Sequence, residues 1–329
     1  MNRANNANSR PQGDLRPVPL KPTDLPPTAW RSEYPFESHW TDLDGWRYHH
    51  VEAGVGERPV VCVHGNPTWS FYWRSLLGTL SDSTRVLAVD HLGCGLSDAP
   101  GEDYPYSLAK HTDNLVRWLE LQDLKNILLV VHDWGGAIGL GAYRRVPERF
   151  DQLLILNTAA FPPPLAWIPL RIAACRLPWI GSWAIRQHNA FARAAIWMAM
   201  ERPEGLSPVS AQGLLAPYQE PARRIAIDRF VRDIPMTQSH PTWKVLNDLE
   251  SGLKRLPPIA TQLVWGMKDW CFTPRCLQRM QGIFPHASVD RLERTGHYVM
   301  EESPASVVAA ARRMLDPQKH APVPKDSGS

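Results

Sequence analysis

Five short apolar runs constrain this chain most: PVVCVHG at 59–65, RVLAVD at 85–90, NILLVVHDW at 126–134, QLLILN at 152–157 and QLVWG at 262–266. None alternates with polar residues, so each reads as a strand covered on both faces. Between several of them lie segments with helical spacing, such as YSLAKHTDNLVRWLEL at 106–121. Strands alternating with helices imply an α/β fold, a mostly parallel, doubly wound sheet. Two earlier segments, SHWTDLDG and WRYHHVEAG, read as an antiparallel hairpin at the sheet edge. SVDRLERTG reads as a final strand, and ASVVAAARRML as part of the last helix.

The alternation fails between Phe161 and about His240, where FPPPLAWIPLRIAACRLPWIGSWAIRQHNAFARAAIWMAM opens a Trp-, Arg- and Ala-rich helical stretch broken by prolines. At 329 residues a single core usually begins to divide. One large domain with an inserted helical cap is therefore expected, the core spanning 31–161 and 241–316 and the cap 162–240. Ligand pockets favour such junctions, so the cap is expected to act as a lid. Trp167, Trp179 and Trp197 are its candidate channel-lining residues, and contact with a membrane surface is a further expectation. Residues 1–30 and 317–329, rich in Pro and polar residues, are expected to be flexible tails.

A net charge of +3 with 43% hydrophobic residues excludes nothing except a strongly basic nucleic-acid binder or a disordered chain. Five cysteines, Cys62, Cys94, Cys175, Cys271 and Cys276, are an odd number without zinc-like spacing. Neither a disulfide framework, a metal nor a cofactor is expected. The first thirty residues lack the apolar h-region of a signal peptide, and no apolar run reaches bilayer length, so a cytoplasmic location is expected.

In LLVVHDWGGAIGLGAY, Asp133 stands between an apolar strand and a small-residue helix start, the setting of a nucleophile elbow. The usual Gly-x-Ser-x-Gly form would put its first Gly at Val131 and its Ser at Asp133; only Gly135 matches. A helix-capping Asp would explain the acid alone. A carboxylate at this place attacks a saturated electrophilic carbon, forming an alkyl ester and releasing an anion. Two donors are available to hold that anion, the indole N–H of Trp134 and the side-chain amide of Asn66 in VVCVHGNPTW. Asp269 follows the seventh strand in LVWGMKDWCFTP, and His297 precedes the last helix in RLERTGHYVMEESP. They supply the order nucleophile, acid, His expected around such an elbow. The alternative acid position, after the sixth strand, is Asn157, which cannot be anionic.

HGNPTWSFYWR, DHLGCGLSDAP, VVHDWGGAIG, GMKDW and GHYVMEE together resemble the haloalkane dehalogenase branch of the α/β-hydrolases, from YPFESHW to the last helix. The resemblance implies Asp133 as nucleophile, Asp269 and His297 as acid and base, and Trp134 and Asn66 around the leaving anion. YPFESHW, DHLGCGLSD and HDWGGAIG are most similar to the bacterial β-lactone decarboxylases of long-chain olefin biosynthesis. This implies a hydrophobic long-chain substrate and other enzymes of that pathway as partners. Dehalogenation is the alternative activity. Epoxide hydrolysis ranks third, because it needs cap tyrosines and only Tyr218 lies between 162 and 240. A binding scaffold on the same fold is the non-enzyme alternative.

Overall fold

The computed structural model describes residues 20–316 apart from 27, 165–169 and 178. Eight strands form one sheet: β1 (Glu37–Leu43), β2 (Trp46–Ala53), β3 (Val60–Val63), β4 (Val86–Val89), β5 (Ile127–Val131), β6 (Phe150–Ile155), β7 (Ala260–Gly266) and β8 (Ser288–Leu292). Their order is β1-β2-β4-β3-β5-β6-β7-β8. The hairpin of β1 and β2 is antiparallel at the edge, β2 pairs antiparallel with β4, and every later pairing is parallel. The doubly wound sheet expected from the apolar runs is the one observed.

Why those runs are apolar throughout follows from the pleat, which sends successive side chains to opposite faces. Val60, Cys62, Leu128 and Val130 join one hydrophobic core, while Val61, Val63, Leu129 and Val131 join the other. Both faces are covered. Helices α1 (Arg74–Leu80), α2 (Leu108–Leu121) and α3 (Trp134–Arg145) lie between strands in the chain. After β6 come α4 (Leu170–Cys175), α5 (Ile180–His188), α6 (Ala190–Met198), α7 (Pro208–Leu215) and α8 (Ile225–Asp233). Then follow α9 (Pro241–Leu253), α10 (Pro274–Ile283), α11 (Val299–Glu302) and α12 (Pro304–Leu315). The stretch expected to form a cap thus holds α4 to α8. Helix α2 starts where Ser107 accepts a hydrogen bond from the Lys110 N–H, a side-chain cap.

One expected boundary needs correction. Residues 1–19 and 317–329 lie outside the described residues, but the end of the N-terminal tail is packed. Leu25 and Trp30 are buried, and the Trp30 ring meets Trp69 edge-on at 5.9 Å and Phe71 at 5.8 Å. Prolines there prevent regular structure without preventing burial of a large aromatic. Among the described residues no helix is long and apolar enough to cross a membrane.

Candidate active site

The loops after β3, β5, β7 and β8 leave the carboxyl edge of the sheet together, where open α/β sheets bind their ligands. Asp133 occupies the turn from β5 into α3 with φ 51° and ψ −132°, a conformation unusual for a residue with a side chain and frequent at functional sites. Neighbouring glycines make the turn possible. A Cβ at Gly135 would stand 2.1 Å from the Val63 carbonyl oxygen, and one at Gly65 would stand 2.1 Å from Asp133 Oδ1. The Asp133 carbonyl accepts from the Gly136 N–H at 2.9 Å and from the Thr158 hydroxyl at 2.5 Å.

The Asp133 carboxylate has two unlike oxygens. Oδ1 accepts the Asn66 backbone N–H at 2.7 Å, and the carboxylate also accepts the backbone N–H of Trp134. Oδ2 faces His297 Nε2 at 3.6 Å. On the far side of the ring, His297 Nδ1 lies 2.8 Å from Asp269 Oδ2, and Asp269 is buried. Asp269 is itself anchored: its Oδ1 accepts the N–H groups of Cys271 and Phe272, and its Oδ2 accepts the Asn157 amide at 3.0 Å. Asn157, at the alternative acid position, thus orients the acid at Asp269. Its Oδ1 also accepts the Gly266 N–H, tying β6 to the end of β7.

Two further residues shape the histidine loop and were not found by reading motifs. His132 donates from Nε2 to the His297 carbonyl at 2.9 Å. Buried Glu302 accepts the Gly296 N–H at 2.5 Å and the Glu201 N–H at 2.9 Å, joining that loop to the cap. The Glu302 signal was present as GHYVMEE, but a carboxylate that binds only backbone groups has no motif of its own.

Burial pushes the Asp133 carboxyl above its usual range, against the pull of His297 and of the two backbone N–H groups. Burial also opposes charging of His297, but the charge and hydrogen bond of Asp269, then the charge of Asp133, outweigh it and hold the imidazole above its ordinary value. The signs give a prediction. A nucleophilic Asp133 would have to be ionised, so kcat/KM should fall as pH drops through a pKa above that of a free aspartate, about 3.9. Asp269→Asn removes the main support of the imidazolium. Any alkaline limb that reports His297 should then move to lower pH, and a limb that stays in place would detach His297 from turnover.

Asn66, Asp133, Trp134 and His297 meet at a cavity of about 820 Å³, towards the upper end of ligand sites, which span roughly 300–1,000 Å³. Asn66 Nδ2 donates to the Ile227 carbonyl at 3.3 Å, while its Oδ1 is buried without a partner. The cap contributes a lining rich in small apolar residues, Ala174, Ala184, Ala190, Ala194, Ala195 and Ala199, with Phe191 and Met198. The three tryptophans expected there are not among these residues. Trp167 lies outside the described residues, while Trp179 and Trp197 are exposed and outside the cavity, a correction to the expected channel. Helix α6 explains it: Phe191, Ala194, Ala195 and Met198 share the cavity side, Ala192 and Ile196 are buried, and Arg193 and Trp197 are left outside. The alanines make the space. Replacing Ala194 or Ala195 with Phe should therefore cut kcat/KM for long-chain substrates by about 10-fold or more and spare short ones, as pocket-volume changes do. Equal losses for both lengths would remove those residues from the channel.

No cap tyrosine reaches the cavity among the described residues. The Tyr218 hydroxyl is buried, donating to the Thr68 carbonyl at 3.2 Å and accepting the Gly95 N–H at 3.3 Å. Epoxide opening assisted by such a donor has no support here.

Comparison with known proteins agrees with this geometry. The family model described as alpha/beta hydrolase fold matches residues 58–304. The chain is 37% identical over 284 residues to the cis-3-alkyl-4-alkyloxetan-2-one decarboxylase of Shewanella oneidensis, covering 85% of this chain and 89% of that protein. With the protein of the same name from Xanthomonas campestris pv. campestris it shares 36% identity over 78% of this chain and 88% of the other. The crystal structure of a haloalkane dehalogenase from Agrobacterium tumefaciens C58 superposes with a TM-score of 0.76 at 26% identity, covering 85% of this chain and 96% of that one. The chain belongs to the α/β-hydrolase fold family, in the branch shared by the β-lactone decarboxylases and the haloalkane dehalogenases.

Proposed function

We propose that the protein removes carbon dioxide from long-chain cis-3,4-dialkyl β-lactones to give cis-alkenes, in the cytoplasm and beside the other enzymes of olefin formation. The observation that carries this reading is the Asp133 carboxylate, held at Oδ1 by the Asn66 backbone N–H and facing a large cavity lined by cap alanines. The similarity to two proteins named for that reaction supports it.

The chemistry follows from the two oxygens. Asp133 Oδ2 attacks the ring carbon that bears the alkyl oxygen, from the face opposite the breaking C–O bond. The ring oxygen leaves as a carboxylate, near Asn66 and Trp134. The intermediate is an ester of Asp133 with that carboxylate on the adjacent carbon. Loss of carbon dioxide then supplies the electron pair of the new double bond, and the C–O bond to Asp133 breaks. Inversion followed by anti elimination preserves the cis geometry, and no water is consumed. His297 has no water to activate in this sequence. Its raised pKa suits a different role, because an imidazolium beside Oδ2, together with the backbone N–H groups of Asn66 and Trp134 on the carboxylate, stabilises Asp133 as it re-forms.

The same residues would hydrolyse an alkyl ester if His297 activated water, which is the dehalogenase reaction. The test gives purified protein a long-chain cis-β-lactone and, separately, a panel of haloalkanes, measuring alkene, carbon dioxide and halide. Alkene and carbon dioxide in equal amounts are expected. Efficient halide release with no alkene would replace this reading with the dehalogenase one.

A further inference from the structure

Of seven large hydrophobic residues exposed among the described residues, five lie in one part of the cap: Leu177, Trp179, Ile180, Trp183 and Trp197. Trp179 is 88% exposed and Ile180 65%, although helices normally turn such residues inward. A concentration of this kind marks a surface that meets something apolar. The charge written into this stretch of chain is of one sign. Residues 161–200 contain four arginines, four tryptophans and no aspartate or glutamate. The Arg176 guanidinium is turned onto the backbone carbonyls of Val231 and Ile234 beside the Asp233 carboxylate, whereas Arg193 is exposed on the same outer side of α6 as Trp197. Arg186 is also paired, with Glu102 at 2.8 Å.

We propose that this face of the cap docks on an anionic lipid bilayer. Tryptophans seat at the headgroup boundary, where the ring is buried and the indole N–H stays wet, and arginines meet anionic headgroups. A second observation joins the face to the site: Ile180 and Ala174 are exposed and also line the cavity, so the apolar surface is continuous with the channel. A ligand with long alkyl chains can then pass from the bilayer into the cavity without crossing water. The source of the ligand rests on the long-chain lactone reading above; the docking itself does not.

The experiment sediments the full-length protein with phosphatidylcholine vesicles and with vesicles containing phosphatidylglycerol, at low and high salt. Wild-type protein should bind the anionic vesicles more tightly, and salt should weaken the binding by screening. The double variant Trp179→Ser/Trp183→Ser should bind about 10-fold or more weakly, since its buried apolar area is gone. Turnover of a short-chain, water-soluble β-lactone should be unchanged in that variant, whereas turnover of vesicle-borne long-chain lactone falls. Absence of wild-type binding to either vesicle, or equal binding by the double variant, overturns the proposal. A dimer in sedimentation velocity that the double variant abolishes, without vesicle binding, would give the face to a second copy of the chain. If vesicle binding holds but the soluble lactone yields no alkene, docking stands and the decarboxylase reading falls.

Discussion

Asp133→Asn should lower turnover by about 10⁴-fold or more, the scale seen when a covalent nucleophile is removed, while leaving the protein folded. The amide is nearly isosteric, and its oxygen can still accept the Asn66 N–H that now holds Oδ1 at 2.7 Å. It cannot attack a saturated carbon. Stability should not suffer, because burial already disfavours the Asp133 charge and the amide carries none. Alkene release, circular dichroism and the melting temperature together check this. Activity near wild type in the Asn variant would remove the nucleophile from the mechanism and bring back the scaffold reading, since a fold by itself does not determine chemistry.

The sheet and the meeting of Asp133, Asp269 and His297 are legible because each is written locally. An all-apolar run of four to seven residues has few alternatives to a strand covered on both faces, and the split of Val60 and Cys62 from Val61 and Val63 between the two cores is that pattern made physical. Asp133, Asp269 and His297 each follow a strand, so finding the strands located the residues. The choice of Asp269 over the position after β6 needed only the fact that Asn157 has no charge. Orientation in the cap was not legible. In a stretch rich in Trp, Ala and Arg, both the alanine face and the tryptophan face of α6 look apolar, and only the neighbouring elements decide which turns inward. Large residues are the obvious candidates for lining a channel, but room for a long chain comes from small side chains. Leu25 and Trp30 were obscured in the same way, because the packing partners Trp69 and Phe71 lie some forty residues along the chain and in no shared element.

Asn66→Ala and Trp134→Phe should each slow turnover by about 10²–10³-fold, as removal of one oxyanion-hole donor does, and the structure says how these losses differ from that of Asp133. Each residue offers two donors with separate targets. The backbone N–H groups of Asn66 and Trp134 bind the Asp133 carboxylate. Their side chains line the cavity, where the proposed reaction would release its anion. The substitutions remove only the side-chain donors. The nucleophile should therefore keep its orientation and its ionisation, so the acid limb of the pH profile stays where it is in the wild type while its height drops. The Asn66 amide now rests on the Ile227 carbonyl at 3.3 Å, a long bond that it can give up to a charged leaving group, since bonds to charged acceptors are stronger. Asn66→Ala leaves that carbonyl without the amide and opens a small space, which should cost about 1 kcal/mol of stability, too little to unfold the protein. The pair also separates the two chemical steps. Donors aimed at the leaving carboxylate act on ring opening and not on expulsion of Asp133, so a single-turnover experiment should show slower consumption of lactone without accumulation of the Asp133 ester in intact-mass spectra. Accumulated ester would mean that Asn66 and Trp134 act on the second step, and full turnover in either variant would remove that residue from the anion site.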